Sequence, residues 1–229
     1  VFFIGCVGSY REDEATLATL DVLDHLKVDY TLIDEVCCSG ALGDVGFEVN
    51  QRLAETNVDR ILATGATRVV TGCPYCSRTF NDKEEYAALR DAGIEIIHLS
   101  QLLKDYDLGV QTDKVVTYHD PCDLGRHCGI YDEPRETIRK IAPKLVEMRH
   151  NRADALCCGA GGGVRGAYAK NSIAMARRRL EEAEEVGAQV VLTECNSCVH
   201  NLNNAKLRAQ KFKVYTTTQF LAQLLEEES

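Results

Sequence analysis

The chain has 229 residues, 45% of them apolar and 27% charged, and carries a net charge of −9. That length buries a core without disulfide staples, the acidic balance argues against nucleic acid as the main partner, and no run of about 20 apolar residues offers a membrane-spanning helix. The chain begins Val1-Phe2-Phe3-Ile4-Gly5-Cys6, without a methionine or a secretion signal and already inside an apparent strand, which reads as part of a longer polypeptide. Eleven cysteines in this setting point to a cytoplasmic protein whose clustered thiols serve metal or redox chemistry.

Short apolar runs alternate with helical periodicity along the chain. Val1–Ile4, Tyr30–Ile33, Arg68–Thr71 and Ile94–His98 read as buried strands. Between them, Leu17, Leu20, Leu23 and Leu26 recur every third residue and predict an amphipathic helix, a second helix spans Val45 to Ala63, and a third follows Cys76. The order then repeats. Lys114–Tyr118, Leu145–Arg149, Gln189–Thr193 and Lys213–Tyr215 read as strands, and the longest helix runs from about Gly166 to Val186. Gly65-Ala66-Thr67-Arg68-Val69-Val70 matches Gly187-Ala188-Gln189-Val190-Val191-Leu192, and His98 to Leu103 matches Thr216 to Leu221. The fold class is therefore α/β: two homologous modules, residues 1–110 and 111–229, each a small, mainly parallel sheet flanked by helices.

Ten cysteines follow the same repeat. The first set is Cys6, Cys37-Cys38 and Cys73-Pro-Tyr-Cys76; the second is Cys122, Cys157-Cys158 and Cys195-Asn-Ser-Cys198. Each group comes just after a predicted strand, so a parallel sheet gathers distant cysteines at the carboxyl ends of its strands. A Cys-x-x-Cys pair at the start of a helix directs two sulfurs at one metal, and the helix N-terminus favours thiolate. Adjacent cysteines diverge and suit a larger, multi-metal group. Five soft ligands per set exceed the four that close a structural zinc site. Iron–sulfur chemistry, zinc and buried free thiols stay open as readings, with the ligand count favouring the first. Cys128 lies outside the repeat and reads as a small buried hydrophobe.

The loop Gly159-Ala160-Gly161-Gly162-Gly163 lacks the Gly-Lys-Ser/Thr of a phosphate loop and reads as close backbone approach to a bulky centre, with Ser39 to Gly43 as its weaker counterpart. His119-Asp120 reads either as an acid–base pair or as a hydrogen-bonded pair shaping the loop before Cys122. Arg126, His127, Arg165 and Lys170 are candidates for binding anionic groups. Arg177 to Arg179, followed by Glu181, Glu182, Glu184 and Glu185, predicts an exposed, ion-paired helix face.

The duplicated Cys … Cys-Cys … Cys-x-x-Cys pattern resembles the cysteine-rich CCG domain of heterodisulfide reductases and covers nearly the whole chain. His119-Asp120-Pro121-Cys122-Asp123-Leu124-Gly125-Arg126 and Cys157-Cys158-Gly-Ala-Gly-Gly-Gly are similar to their catalytic subunits of the B or D type, with Asp123 in place of a frequent histidine. The resemblance implies two noncubane [4Fe-4S] clusters, one held by Cys6, Cys37, Cys38, Cys73 and Cys76 and one by Cys122, Cys157, Cys158, Cys195 and Cys198. It implies reduction of a small-molecule disulfide of the coenzyme M–coenzyme B type between them. It also implies a ferredoxin-like iron–sulfur subunit or domain as donor, itself served by a flavoprotein or cytochrome partner, with membrane association only through such a partner. The same superfamily includes non-catalytic electron-transfer subunits of lactate, glycolate and glycerol-3-phosphate oxidation. The completeness of both sets favours the disulfide-reductase branch.

Overall fold

The structure, a computed structural model, describes residues 1–228. In the first half, β1 (Phe2–Phe3), β2 (Arg68–Thr71) and β3 (Glu95–His98) form a parallel sheet in that order, with Phe2 opposite Val70 and Val70 opposite Ile97. Its helices are α1 (Cys6–Tyr10), α2 (Asp13–His25), α3 (Gln51–Ala63), α4 (Pro74–Asp82), α5 (Ala87–Asp91) and α6 (Leu99–Leu103). In the second half, β4 (Val116–Tyr118), β5 (Leu145–Val146), β6 (Val190–Thr193) and β7 (Lys213–Thr216) form a parallel sheet in the order β5-β4-β6-β7. Its helices are α7 (Asp132–Ile141), α8 (Val164–Ala167), α9 (Ala169–Glu185), α10 (Asn196–Ala205) and α11 (Thr217–Glu228). The α/β reading with two small parallel sheets is what the chain adopts.

The repeat extends to helix caps. Gln101 accepts the His98 N–H at 3.0 Å and Gln219 accepts the Thr216 N–H at 2.9 Å, so the same residue type closes the first turn of α6 and α11. These two helices, with α2 and α7, fill the space between the sheets. Phe2, Leu23, Val70, Leu103, Tyr118, Ile138, Leu192 and Leu221 belong to one shared core there. Truncating one of its fully buried members, such as Leu103, costs about 2–5 kcal/mol. Each sheet's other face has its own core, around Phe3, Ile61 and Phe80 in the first half and Leu180, Val191 and Leu202 in the second.

Three expectations are corrected and a fourth is narrowed. Tyr30–Ile33 is no registered strand; Phe2 N–H donates to Thr31 O at 3.0 Å and the run otherwise lies alongside the sheet edge. The ladder stops because the next two amides, of Ile4 and Gly5, turn to the Glu35 carboxylate at 2.8 and 2.6 Å. The leucine stripe marks the amphipathic helix α2 with three of its four residues: Leu23 is buried and Leu20 and Leu26 pack against the shared core, while Leu17 is 60% exposed, because a strict three-residue step drifts around a 3.6-residue helix. The helix predicted from Val45 starts at Gln51, where the Asn50 side chain caps Leu53 N–H, and a separate 3₁₀ turn covers Gly40–Val45. The helix predicted from Gly166 is broken at Tyr168, between α8 and α9.

Candidate metal centres

The two sheets deliver the cysteines to equivalent places. Cys6 opens α1 just after β1, and Cys122 follows β4 into a π-helical turn, Asp123–His127. Cys73 and Cys195 cap α4 and α10 with nearly the same backbone, φ −130° ψ 121° and φ −135° ψ 117°, so Cys76 and Cys198 sit one turn in, each buried. The paired cysteines are held by the next backbone amide but one: Ser39 N–H lies 3.4 Å from Cys37 Sγ, and Gly159 N–H lies 3.3 Å from Cys157 Sγ. Both residues adopt positive φ, 58° at Ser39 and 79° at Gly159, so the chain turns the same way just past each pair. At Gly159 no side chain fits, since a Cβ would lie 2.6 Å from Ser172 O. At Gly5, φ 86°, a Cβ would come within 3.1 Å of Cys73 Cβ and 3.3 Å of Cys76 Sγ.

Within each set the sulfurs converge. Cys6 and Cys37 are 3.7 Å apart, Cys38 and Cys76 3.3 Å, and Cys158 and Cys198 3.1 Å, all as free cysteines. Such crowding does not tolerate full ionisation. Hydrogen bonding with Cys37 and burial push Cys6 up; Cys38 and Cys73 do the same to Cys76, and Cys158 and Cys195 to Cys198. Burial, with Asp123 beside it, pushes Cys122 up to about 12. Sulfurs this close carry their negative charge together only around a positive centre, so the donor sets fit a thiolate-ligated metal group. Cys128, expected to be buried, is half-buried; burial, with Asp82 and Asp123 nearby, pushes its thiol up to about 11.

The surroundings of the second set rest on two guanidinium groups, Arg135 and Arg179, that are fully buried. Arg135 donates to both oxygens of Asp120 at 2.7 and 2.9 Å and to both of Glu147 at 2.7 and 2.9 Å. Asp120 also accepts the Arg152 N–H at 2.8 Å, so it shapes the loop before Cys122 and is committed to that role. Arg179 donates Nε to His119 Nδ1 at 3.0 Å and pairs with Glu182 at 2.7 Å. The expected exposed face of α9 is thereby corrected: Arg179 and Glu182 are buried, because Arg179 falls on the inward stripe of Ser172, Ala176 and Ala183, while Arg177, Arg178 and Glu181 face solvent. The His119 imidazole lies within 4.8 Å of the Cys158 and Cys198 sulfurs. Burial pushes it down and keeps it neutral. In the first set the acidic partner is Glu35, which binds the Ile4 and Gly5 amides.

The two sets face each other crosswise. Helix α4, carrying Cys76, packs on the turn after Cys122, tied by Arg78–Asp123 at 3.0 Å; α1, starting at Cys6, packs on α10, tied by Glu12–His200 at 2.6 Å. A cleft of about 450 Å³ opens between them, lined by Cys6, Tyr10 and Arg11 from one half and Ala160, Arg165 and Ser197 from the other. Of the four predicted anion-binding residues, Arg165 lines this cleft. Arg126 is spent on the carbonyls of Ala153 and Ala155 at 3.1 and 2.9 Å, and His127 and Lys170 are exposed away from its lining. Sequence reading missed Arg11, Glu35, Arg135 and Arg179. Among the described residues no helix is long and apolar enough to cross a membrane.

Comparison with known proteins agrees with this architecture. A solved structure of a hypothetical protein from Helicobacter pylori superposes with a TM-score of 0.67 at 9% identity, over 100% of this chain and 49% of that one, a likeness of fold. The D-type subunit of the dihydromethanophenazine:CoB–CoM heterodisulfide reductase of Methanosarcina acetivorans is 34% identical over 221 residues, 90% of this chain and 54% of the relative. The B-type subunit of the fumarate reductase (CoM/CoB) of Methanothermobacter marburgensis is 30% identical over 86% of this chain and 40% of the relative. A probable iron-sulfur-binding oxidoreductase, FadF, of Bacillus subtilis is 30% identical over 97% of this chain and 33% of the relative. The chain thus spans about half or less of the length of these relatives. The sequence matches the cysteine-rich domain, CCG, over residues 1–81 and 116–203, in step with the two sheets and their cysteine sets, and the chain belongs to that family.

Proposed function

We propose that the chain is the iron–sulfur redox unit of an oxidoreductase that reduces a small anionic disulfide. Two modules, residues 1–110 and 111–229, each hold one noncubane [4Fe-4S] cluster, the first through Cys6, Cys37, Cys38, Cys73 and Cys76, the second through Cys122, Cys157, Cys158, Cys195 and Cys198. The observation that carries the reading is the open cleft beside Cys6 of the first set, walled on its other side by Ala160 and Ser197, which stand next to the second set in sequence, and bounded by Arg11 and Arg165. A relay that only passes electrons onward has no need of an open, doubly cationic cleft at this place. The names of the Methanosarcina and Methanothermobacter relatives, which carry CoM and CoB, support a thiol–disulfide substrate class.

When bound, the clusters supply two electrons, one from each side, so that a disulfide RSSR′ accepts two electrons and two protons and leaves as RSH and R′SH. The chain's own residues do the rest. Arg11 and Arg165 attract and orient the anionic ends of the substrate. The Gly159 to Gly163 loop lets the substrate approach the second set, since Gly161 and Gly162 have open space where a side chain would stand. Electrons arrive from a ferredoxin-like iron–sulfur subunit or domain, served by a flavoprotein or cytochrome partner. Turnover of a panel of small disulfides by anaerobically prepared protein with a reduced viologen donor tests the reading. Disulfides bearing phosphate, sulfonate or carboxylate groups are expected to turn over; iron-loaded protein that reduces none of them supports the electron-transfer reading instead.

A further inference from the structure

His119 sits among sulfurs at a distance that suits a metal ligand, yet its hydrogen bonding assigns it a different part. Arginine only donates, so the 3.0 Å contact from Arg179 Nε makes His119 Nδ1 an acceptor. A neutral imidazole whose Nδ1 accepts carries its proton on Nε2. That nitrogen is then an N–H donor, available to a sulfur and closed to a metal. The neighbouring sulfur is Cys158, within 4.8 Å of the ring. Arg179 is itself fixed, by Glu182 at 2.7 Å and by the Tyr118 carbonyl at 3.3 Å.

The first set has no such device. Counted back from the lone cysteine, Phe3 occupies the place of His119, and its ring packs edge-on against Phe80 with centroids 4.8 Å apart. Counted back from the shared Gly-Ala pair, Asn57 occupies the place of Arg179, and its amide is spent on the Val36 carbonyl and the Tyr86 hydroxyl. The first set relies on backbone donors instead: Ser39 N–H to Cys37, Gly40 N–H to Cys38, and the Tyr75 and Cys76 amides to Cys73, against Gly159 N–H to Cys157 in the second. Glu35 adds acceptors and no donor. Asp123 faces both sets, beside Cys122 and near Cys73, and is paired with Arg78. Donors to a ligating sulfur stabilise the more negative, reduced form of an iron–sulfur centre.

We propose that Arg179 is a positioning residue for the second centre: by fixing the His119 proton on Nε2 it directs an N–H···S bond to Cys158 that raises the reduction potential of this centre. The inference rests on the iron–sulfur reading above.

The test is a potentiometric titration of the anaerobic protein followed by electron paramagnetic resonance, with signals assigned through Cys38→Ser and Cys158→Ser. At the potential that half-reduces the wild-type second centre, His119→Leu is expected to lower its reduced-to-oxidised ratio about tenfold, equivalent to about 59 mV for a one-electron couple. The first centre should not move. His119→Gln, which keeps an N–H, should recover part of the shift. Arg179→Met should shift the same centre in the same sense and add little to His119→Leu, since both act through one hydrogen bond; should Arg179→Met not fold, the two His119 variants decide. Full iron with an unmoved second centre overturns the inference alone, as does a fully additive Arg179→Met, which would act through its charge. Selective loss of the second centre from His119→Leu also overturns it, by making His119 a residue that holds the centre. Wild-type protein without iron overturns the underlying reading and this inference with it.

Discussion

The two sulfur sets share a backbone and differ in what surrounds it. Both place a lone cysteine, an adjacent pair and a helix-capping Cys-x-x-Cys at strand ends, with matching cap angles and matching amides on Cys37 and Cys157. Around the first set the supporting groups are a phenyl ring, Phe3, an amide, Asn57, and a carboxylate, Glu35. Around the second they are His119, Asp120 and two buried guanidinium groups, each with an acidic partner. The thiols pushed down also differ between the sets. In the first set Cys37, held by Cys38, Cys6 and the Ser39 amide, and Cys73, held by Cys76, are both pushed down; in the second it is Cys158, held by Cys157, Cys198 and His119. Duplication preserved the geometry that gathers sulfur, while the charge that tunes it diverged.

The largest effect to expect is at the ligands. Cys38→Ser and Cys158→Ser should each remove about half of the bound iron and one of two spectroscopic signals, because the sets are separate. A single substitution that empties both would break the comparison. Next comes the buried charge. Asp120→Ala leaves Arg135 without its innermost partner and should cost about 3–5 kcal/mol, whereas Glu35→Gln, which keeps an oxygen acceptor, should cost about 0.5–1.5 kcal/mol. Anaerobic denaturant unfolding reads both, and equal costs would erase the asymmetry between the halves. Smaller still, Arg165→Ala and Arg11→Ala should each raise KM for an anionic disulfide about tenfold with little change in kcat, as expected of a charged hydrogen bond worth about 1.5–3 kcal/mol partly screened by solvent. An unchanged KM in both would move the substrate out of the cleft. The smallest effect is at Cys128. With its thiol pushed up to about 11, it is protonated at neutral pH. Cys128→Ser should leave iron content unchanged, and alkylation at Cys128 should be slow at neutral pH and quicken as the pH rises towards 11. Rapid labelling at pH 7 would place Cys128 in a more ionising environment than the one described.

The convergence of ten sulfurs was legible because each group lies a short, fixed step past an apolar run, and parallel strands all end on one side of a sheet. The twofold repeat was legible from residues as local as Gly65-Ala66 and Gly187-Ala188. Arg179 was not. In a run of three arginines followed by four glutamates, charge alone reads as a solvated helix face. The inward stripe of Ala176, Leu180 and Ala183 was the local signal that Arg179 points to the core, but its partner His119 lies on a different strand end, and no local pattern joins them. Tyr30–Ile33 carried a strand's composition, yet pairing depends on a neighbour, and β1 gives up its ladder to Glu35 within two residues. Arg11 looked like an ordinary surface charge until α1 was seen to border the cleft opposite Arg165.

The most direct test of the central claim is iron and acid-labile sulfide quantification on the wild-type chain, purified and reconstituted without oxygen. Two complete five-sulfur sets predict about eight irons and matching sulfide per chain, four per module. A colourless protein with stoichiometric zinc, or a chain that saturates at about four irons, would contradict it.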